Sequence, residues 1–371
     1  MTEASVAGRL LSAFRTRAAL GLLPFAAPVM VFIPLGVALG PGVLGVLSNP
    51  ALAHLDIVIS IALATLGVFI GIAAGRDILA AGRLLAAATV EAGVTILVVS
   101  GAVLALLHAW ALPLDVPYVL GALALAVSAS ASAAPSAEGP DDRVATHIAV
   151  RVADLDDVMP IVLGGFVLAM AGPTVRPVFQ SAALTIGLGL AIGFGGWLLV
   201  ERAHVAAERG VFVLGVVAML GGAPAYMGLS PMLAGLAAGL FWVAAPGRCD
   251  VIVARELRKV QHPIVVLLLI TAGASLERTM AGIWLLAPYV IFRTAGKVLG
   301  GWTASRFAPG MAPSDLGAHL LHPGVIGIAF ALNVQQVAPE SATAIVFAVA
   351  AGAIASEAIA VLVGPAAARA A

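Results

Sequence analysis

Charged residues are scarce in this chain of 371 residues, because 19 basic and 19 acidic side chains make up only 10% of it. Soluble domains carry about 25%. Apolar residues reach 61%, and the mean hydropathy is +1.09. A soluble fold of this length leaves a large shell exposed to water and cannot hide so much apolar surface. The composition therefore excludes a soluble protein and predicts one that is dissolved in lipid.

Cysteine and net charge are also nearly absent. The single cysteine, Cys249, excludes a disulfide framework and a cysteine-built metal site within one chain. Most of the seven histidines show no spacing typical of metal ligands. Equal numbers of acids and bases leave no basic field for nucleic acid. The sequence thus predicts no bound cofactor and no nucleic-acid partner, and the expected surrounding is the lipid bilayer.

Long apolar runs fill most of the chain. A spanning helix needs about 20 apolar residues, because each residue rises about 1.5 Å through about 30 Å of hydrocarbon. Barrel strands would alternate polar and apolar residues, and these runs do not. Cutting at charges and at Pro, Gly and polar clusters predicts an all-α membrane protein with about 12 transmembrane helices. The predicted spans are 18–40, 54–75, 80–108, 116–136, 145–171, 178–200, 210–226, 229–245, 261–277, 281–304, 316–335 and 341–365.

The basic residues are distributed asymmetrically about these spans. With the amino end inside, fourteen of the 19 lie in the tails, in the connections or at the first turn of a span on that side, two lie opposite, and three fall deeper within spans. Lysine and arginine concentrate on the cytoplasmic side of membrane proteins, so both termini are expected in the cytoplasm. The high alanine and glycine content is consistent with a bacterial inner membrane.

Two spans are interrupted by helix-breaking residues. The fourth carries Ser128, Ser130 and Ser132 before Pro135, and the eleventh opens with His322-Pro323-Gly324. Proline removes a backbone donor, and such segments unwind at membrane depth only where they line a cavity. Interrupted helices in corresponding positions indicate an inverted-repeat transporter. The expected organisation is a single membrane domain with a first repeat at 18–171, linker helices at 172–228 and a second, inverted repeat at 229–365.

Ionisable residues within the spans are costly, so they are functional candidates by default. Asp156 lies about 16 Å from the cytoplasmic end of its helix and Lys297 about 10 Å from the same side, a difference that a lysine side chain can cover. We therefore predict an Asp156–Lys297 salt bridge, with Asp157 turned about 100° away. The remaining candidates are Glu91, Arg151, Asp154, Arg293 and Glu357.

Alternatives stay open for these remaining residues. Arg151 either reaches the cytoplasmic surface or pairs with Asp154, which shares a helix face with Asp157. Glu91 and Glu357 are either functional or structural partners of Arg293. The strongest chemical signal is the adjacent pair Asp156-Asp157, because two carboxylates at low dielectric do not both ionise cheaply. Such a site binds either a proton or a cation, and that competition is the chemistry of exchange.

Four segments carry a family resemblance over about residues 30–365. Pro34–Pro41 resembles the first-helix signature of monovalent cation/proton antiporters, and Val150–Val158 resembles their paired-aspartate fifth helix. Phe292–Gly300 resembles their basic tenth helix, and Gly324–Leu332 resembles their broken eleventh helix. The order of these segments along the chain matches the family's order.

The resemblance implies the sodium/proton antiporter fold, with broken helices 4 and 11, and a homodimer whose core domain moves as an elevator. It implies that Asp157 carries the proton or cation, and that Asp156 pairs with Lys297. A paired aspartate is similar to the electrogenic members, which move more protons than cations. The expected cargo is protons and sodium, with lithium or potassium as alternatives. Ser128, Ser130 and Ser132 stand where relatives carry threonine and aspartate, so their role as cation ligands is an expectation.

Two other functions are weighed against exchange. A sodium-coupled symporter of organic anions has the same fold, and its buried lysine would meet the substrate carboxylate. An intramembrane aspartyl protease also uses two buried carboxylates, but on separate helices. Asp156 and Asp157 are neighbours in the sequence, which disfavours the protease. The chain is therefore expected to be a transporter and not an enzyme.

Overall fold

The computed structural model describes residues 27–80, 82–112, 115–132, 140–171, 177–307 and 315–363. The described residues form fourteen helices, and a single isolated β-bridge joins two of the segments between them. The helices are α1 (Pro28–Leu39), α2 (Asn49–Leu79), α3 (Arg83–Ala109), α4 (Val116–Val127), α5 (Pro140–Asp156), α6 (Val158–Ala171), α7 (Val178–Arg202), α8 (Ala206–Tyr226), α9 (Pro231–Ala244), α10 (Cys249–Ala274), α11 (Met280–Phe307), α12 (Leu316–His319), α13 (Val325–Val337) and α14 (Pro339–Val363).

The all-helical fold expected from the sequence is confirmed. Fourteen helices correspond to twelve predicted spans because the fifth span consists of α5 and α6, and the eleventh consists of α12 and α13. Among the described residues, six helices are long and apolar enough to cross a membrane, and four apolar helices are shorter. The six are Asn49–Leu79, Arg83–Ala109, Val178–Arg202, Ala206–Tyr226, Cys249–Ala274 and Ala342–Leu362. The chain is an integral membrane protein.

The fifth span is not the continuous helix that the sequence analysis expected. α5 ends at Asp156, Asp157 lies in a turn, and α6 begins at Val158. Pro160 explains the break, because it has no N–H to donate to the carbonyl of Asp156 four residues earlier, and its ring crowds that carbonyl. The helix resumes with the bond from the Ile161 N–H to the Asp157 carbonyl, at 3.0 Å. The expectation that one regular helix carries both aspartates is therefore wrong.

Two helix pairs pack backbone to backbone through glycine. In the first, α1 lies against α10, where a side chain at Gly36 or Gly273 would collide with the main chain of the other helix. In the second, α2 lies against α9, where Gly67 and Gly235 are equally close to the facing main chain. α1 and α2 open the first repeat, and α9 and α10 open the second. Replacing α1 by α9 and α10 by α2 therefore turns the first pair into the second. This symmetry is what inverted repeats predict.

One end of the helix bundle is closed by charged contacts. Arg76, at the end of α2, pairs with Asp250 at the start of α10, at 2.7 Å. Glu201, at the end of α7, accepts a hydrogen bond from the Arg248 N–H at 2.7 Å. These helix ends belong to connections that the sequence analysis assigns to a single side of the membrane, so the fold agrees with the predicted order of the spans.

Candidate functional site

The fourth and eleventh spans are interrupted as predicted, and their unwound segments cross each other. After α4 ends at Val127, the chain turns at Ser128 and then runs extended to Ser132, and a β-bridge pairs Ala131 with Pro323 in antiparallel orientation. The Ser132 N–H donates to the His322 carbonyl at 2.9 Å, and the Gly324 N–H donates to the Ser130 carbonyl at 3.1 Å. Each extended segment thus satisfies backbone groups that the other helix left without partners.

Glycine allows the crossing to close. A side chain at Gly327, in the first turn of α13, would collide with the carbonyl oxygen of Ser128, and one at Gly324 would collide with the hydroxyl of Ser130. The Ser130 hydroxyl also accepts a 2.7 Å hydrogen bond from the Gly327 N–H. The first turn of α13 is therefore seated directly on the extended segment of the fourth span.

All three serine hydroxyls of the fourth span are hydrogen-bonded, and those of Ser130 and Ser132 link this span to the eleventh. The Ser132 hydroxyl donates to the Pro323 carbonyl at 3.0 Å, and the Ser128 hydroxyl donates back to the Ala124 carbonyl at 2.7 Å. With the contact of Ser130, all three hydroxyls are engaged with the backbone. Their oxygens retain lone pairs, so service as cation ligands stays a prediction. Pro135 and Ser136, which the sequence analysis placed in the same span, lie outside the described residues.

Arg293 of α11 binds the crossing through backbone carbonyls. Its guanidinium donates to the carbonyls of Leu321 and Ser130, both at 2.8 Å, and to that of His322 at 3.1 Å, and the side chain is fully buried. Tyr289, one turn earlier, donates its hydroxyl to the Ser128 carbonyl at 3.0 Å. The sequence analysis did not single out Tyr289, although its position four residues before Arg293 places it on the same helix face.

Lys297, one turn beyond Arg293, lies between two carboxylates. Its Nζ atom is 2.6 Å from Oδ2 of Asp156 and 3.2 Å from Oε2 of Glu91, and all three residues are buried. The predicted Asp156–Lys297 salt bridge is present. Glu91 was weighed as a partner of Arg293, and that alternative is wrong, because Glu91 pairs with Lys297. The Thr95 hydroxyl donates to the other oxygen of Glu91 at 3.0 Å.

Asp157 lies at the helix break with no partner among the described residues. Its side chain is buried, and its Oδ1 atom makes no hydrogen bond. Oδ1 of Asp156 is likewise buried and without a hydrogen bond. Buried polar atoms without partners are rare, since each costs roughly 1–3 kcal/mol, and an unfilled ion site is one reason for them. Each of the two neighbouring carboxylates thus has a buried oxygen with a lone pair that can accept a proton or a small cation.

The remaining candidates lie away from this pair. Arg151 is exposed, and its salt bridge, at 3.5 Å, is with Asp77 and not with Asp154, the partner weighed as one of its two alternatives. Asp154 is exposed on α5. Glu357 of α14, weighed as a structural partner of Arg293, makes its side-chain contact with His322, where its Oε1 atom lies 3.1 Å from Nδ1. His322 itself lies in the extended segment of the eleventh span.

A largely apolar cavity of about 1120 Å³ opens between the ends of six helices. It reaches Leu125, one turn before the extended segment of the fourth span begins at Ser128. Its lining residues include Trp110, Tyr118, Leu125, Trp284, Val334 and Thr343. The helix ends around it belong to the side of the membrane opposite the predicted cytoplasmic connections. The cavity therefore provides an approach to the crossing from that side.

Crossed, broken helices beside a buried lysine and paired carboxylates define the class, a helical membrane protein with ionisable residues buried in its core. No protein-family model and no curated protein matches the sequence. The fold is similar to the structure of the sodium proton antiporter MjNhaP1 from Methanocaldococcus jannaschii at pH 8, with a TM-score of 0.61 and 16% sequence identity. The match covers 93% of each chain. The sodium/proton antiporter fold predicted from the sequence is confirmed.

Proposed function

We propose that the protein is a secondary antiporter that exchanges protons for a monovalent cation, with sodium favoured over lithium and potassium. The observation that carries the proposal is the pair Asp156-Asp157, buried at a helix break, with one oxygen of each carboxylate lacking a hydrogen bond. Neighbouring carboxylates at low dielectric repel each other when both are ionised, so they require a proton or a cation between them. The antiporter fold supports this function over catalysis.

Exchange follows from this competition. When the site opens to one side of the membrane, Asp157 releases a proton and takes up a cation, and the reverse occurs on the other side. Asp156 is held by Lys297 on one oxygen and offers the other to the cation. The lone pairs of the serine hydroxyls complete an oxygen shell, which hard monovalent cations prefer. Because two aspartates are present, the exchange is proposed to be electrogenic.

The arrangement in the membrane is proposed from the charge distribution. Both termini face the cytoplasm of a bacterial inner membrane, with repeats at 18–171 and 229–365 and a linker at 172–228. The four helices of the glycine-packed pairs, α1, α2, α9 and α10, form a scaffold. The crossing and its helices move against that scaffold as a unit, in a homodimer. Alternating access by one such body moving against another is common among inverted-repeat transporters.

The test is a substitution at Asp157 in sealed vesicles. Asp157→Asn keeps the size of the side chain and removes its charge, so addition of sodium, lithium or potassium is expected to release no protons, as followed with a pH-sensitive dye. Glu277→Gln, which neutralises an exposed acid in the connection between α10 and α11, serves as the control and is expected to match the wild type. Wild-type rates in the Asp157→Asn variant would refute the assignment.

A sodium-coupled symporter of organic anions is the second candidate, and the apolar cavity favours it, because such a space suits an amphiphile. The lysine argues against it, since Lys297 is enclosed by Asp156 and Glu91 and has no free side to offer a substrate carboxylate. Cation-driven proton movement without any organic solute separates the two functions. An aspartyl protease is disfavoured, because one of its two carboxylates would be committed to a salt bridge.

A further inference from the structure

The contacts of Lys297 differ in kind on its two sides. On one side, Glu91 uses both of its oxygens, one for Lys297 at 3.2 Å and the other for the Thr95 hydroxyl at 3.0 Å. On the other side, Asp156 uses one oxygen for Lys297 at 2.6 Å and leaves the other buried without a hydrogen bond. Glu91 is therefore a fully satisfied counter-ion, whereas Asp156 is half satisfied.

The two sides also differ in rigidity. α3 and α11 pack so closely that a side chain at Gly300 would lie 2.7 Å from the Glu91 carbonyl oxygen, and one at Gly296 would lie 3.1 Å from the Cα atom of Thr95. Glu91 and Lys297 therefore belong to one tightly packed interface. Asp156 is the last residue of α5, next to the turn at Asp157, where the backbone lacks a helical hydrogen bond. Of the two carboxylates, Asp156 is the one placed to leave the lysine.

We infer that Glu91 is the permanent counter-ion of Lys297 and thereby frees Asp156 to carry a second proton. This inference rests on the proposed exchange function and deepens it. With Glu91 ionised, Lys297 stays charged when Asp156 is protonated, because the ammonium still has a buried anion beside it. A lone buried ammonium would be strongly penalised. The loaded states are then two protons on Asp156 and Asp157, or one cation shared between them, and they differ by one charge.

Charge balance makes the consequence of losing Glu91 specific. In Glu91→Gln, Asp156 is the one anion left in contact with Lys297 among the residues that the structure describes, so it must stay ionised to compensate the lysine. Only Asp157 then loads a proton, and one proton exchanges for one cation. The variant is expected to retain exchange and to lose its electrogenicity. In Glu91→Gln/Lys297→Gln the lysine charge is also removed, so Asp156 no longer has to stay ionised and two protons can load again.

The experiment measures sodium-driven proton movement in proteoliposomes with a pH dye, while a potassium gradient with valinomycin sets the membrane potential. The wild type is expected to speed up several-fold when about 100 mV is imposed in the favourable direction. Glu91→Gln is expected to keep measurable exchange with a voltage response near 1-fold, and the double variant is expected to recover the wild-type response. A structural defect at Glu91 would lower the rate without this selective loss and recovery.

The outcomes separate the inference from the function beneath it. A wild-type voltage response in Glu91→Gln, or a wild type with no response, overturns the inference while leaving exchange intact. Absence of cation-driven proton movement in the wild type overturns the proposed function itself. Should Glu91→Gln fail to fold, the double variant decides alone, because it removes both charges of the pair and must still respond to voltage.

Discussion

The crossing of the broken helices depends on Arg293, and replacing it with methionine tests that dependence. Arg293→Met keeps an unbranched apolar chain in a buried position and removes three hydrogen bonds to backbone carbonyls. Hydrogen bonds to charged groups contribute roughly 1.5–3 kcal/mol each. The carbonyls of Ser130 and His322 each keep a second donor, from the N–H groups of Gly324 and Ser132. The carbonyl of Leu321 loses the donor that Arg293 supplies.

The net loss is smaller than three full hydrogen bonds, because removing the guanidinium also removes the cost of burying its charge. A buried carbonyl left without a donor, as that of Leu321 would be, costs roughly 1–3 kcal/mol. Unfolding entropy of about 2.1 cal/mol/K per residue, applied to this chain, converts that into a fall in Tm of about 1–4 °C. The assay is thermal unfolding of the purified protein in detergent, with hydrogen exchange of the peptides that cover 128–132 and 321–327.

Arg306, near the end of the same helix, provides the matched control. It is exposed, and its guanidinium lies over the Trp302 ring at 4.7 Å, away from the crossing. Arg306→Met is expected to change Tm by less than about 1 °C, since surface substitutions usually stay within about 0.5 kcal/mol. If Arg293→Met kept the wild-type Tm and the wild-type hydrogen exchange in both extended segments, the stabilising role assigned to Arg293 would be refuted.

Two further substitutions probe the closing of the crossing and the charge of the lysine. Gly327→Ala places a methyl group against the Ser128 carbonyl, which is main chain and cannot move aside as a side chain would. A lower Tm and slower cation/proton exchange are therefore expected. Gly101→Ala, which has open space around the new methyl group, serves as the control. Wild-type stability in Gly327→Ala would contradict the close approach. Lys297→Gln leaves Glu91 and Asp156 buried without their cation, so we expect reduced Tm and an altered voltage response in proteoliposomes, and an unaltered response would count against the salt bridge.

The salt bridge could be predicted from the sequence because the depth of a residue in the membrane follows from its position along a spanning helix. Counting residues from the cytoplasmic ends placed Asp156 and Lys297 within reach of each other, and their atoms lie 2.6 Å apart. The same count was sufficient to find Glu91, which lies about 11 residues into its span, as Asp156 does. The sequence analysis instead considers Arg293 as the partner of Glu91. Depth alone does not show which face of a helix contacts which neighbouring helix. That choice depends on the approach of α3 to α11 at Gly296 and Gly300.

The break at Asp157 had a signal that the sequence analysis did not use. Pro160 lies four residues after Asp156, which is the spacing at which proline removes a helical hydrogen bond. The predicted span at 145–171 does not include this break. The interruptions of the fourth and eleventh spans were recognised from the same chemistry. Their crossing, by contrast, was beyond the sequence, because the pairing of Ala131 with Pro323 joins segments 192 positions apart and needs the tertiary fold.

The two buried basic residues of α11, Arg293 and Lys297, have different roles, and neither side chain could replace the other. Arginine presents several donors in a rigid planar fork, which suits carbonyls arranged around it, and it stays charged in every environment. Lysine is a compact charge on a flexible stem, which suits two carboxylates at unequal distances. Arg293 therefore fixes the backbone of the crossing, while Lys297, one turn away, compensates the charges of Asp156 and Glu91. An exchanger needs both properties at once, because the site must keep its geometry while the charge within it changes.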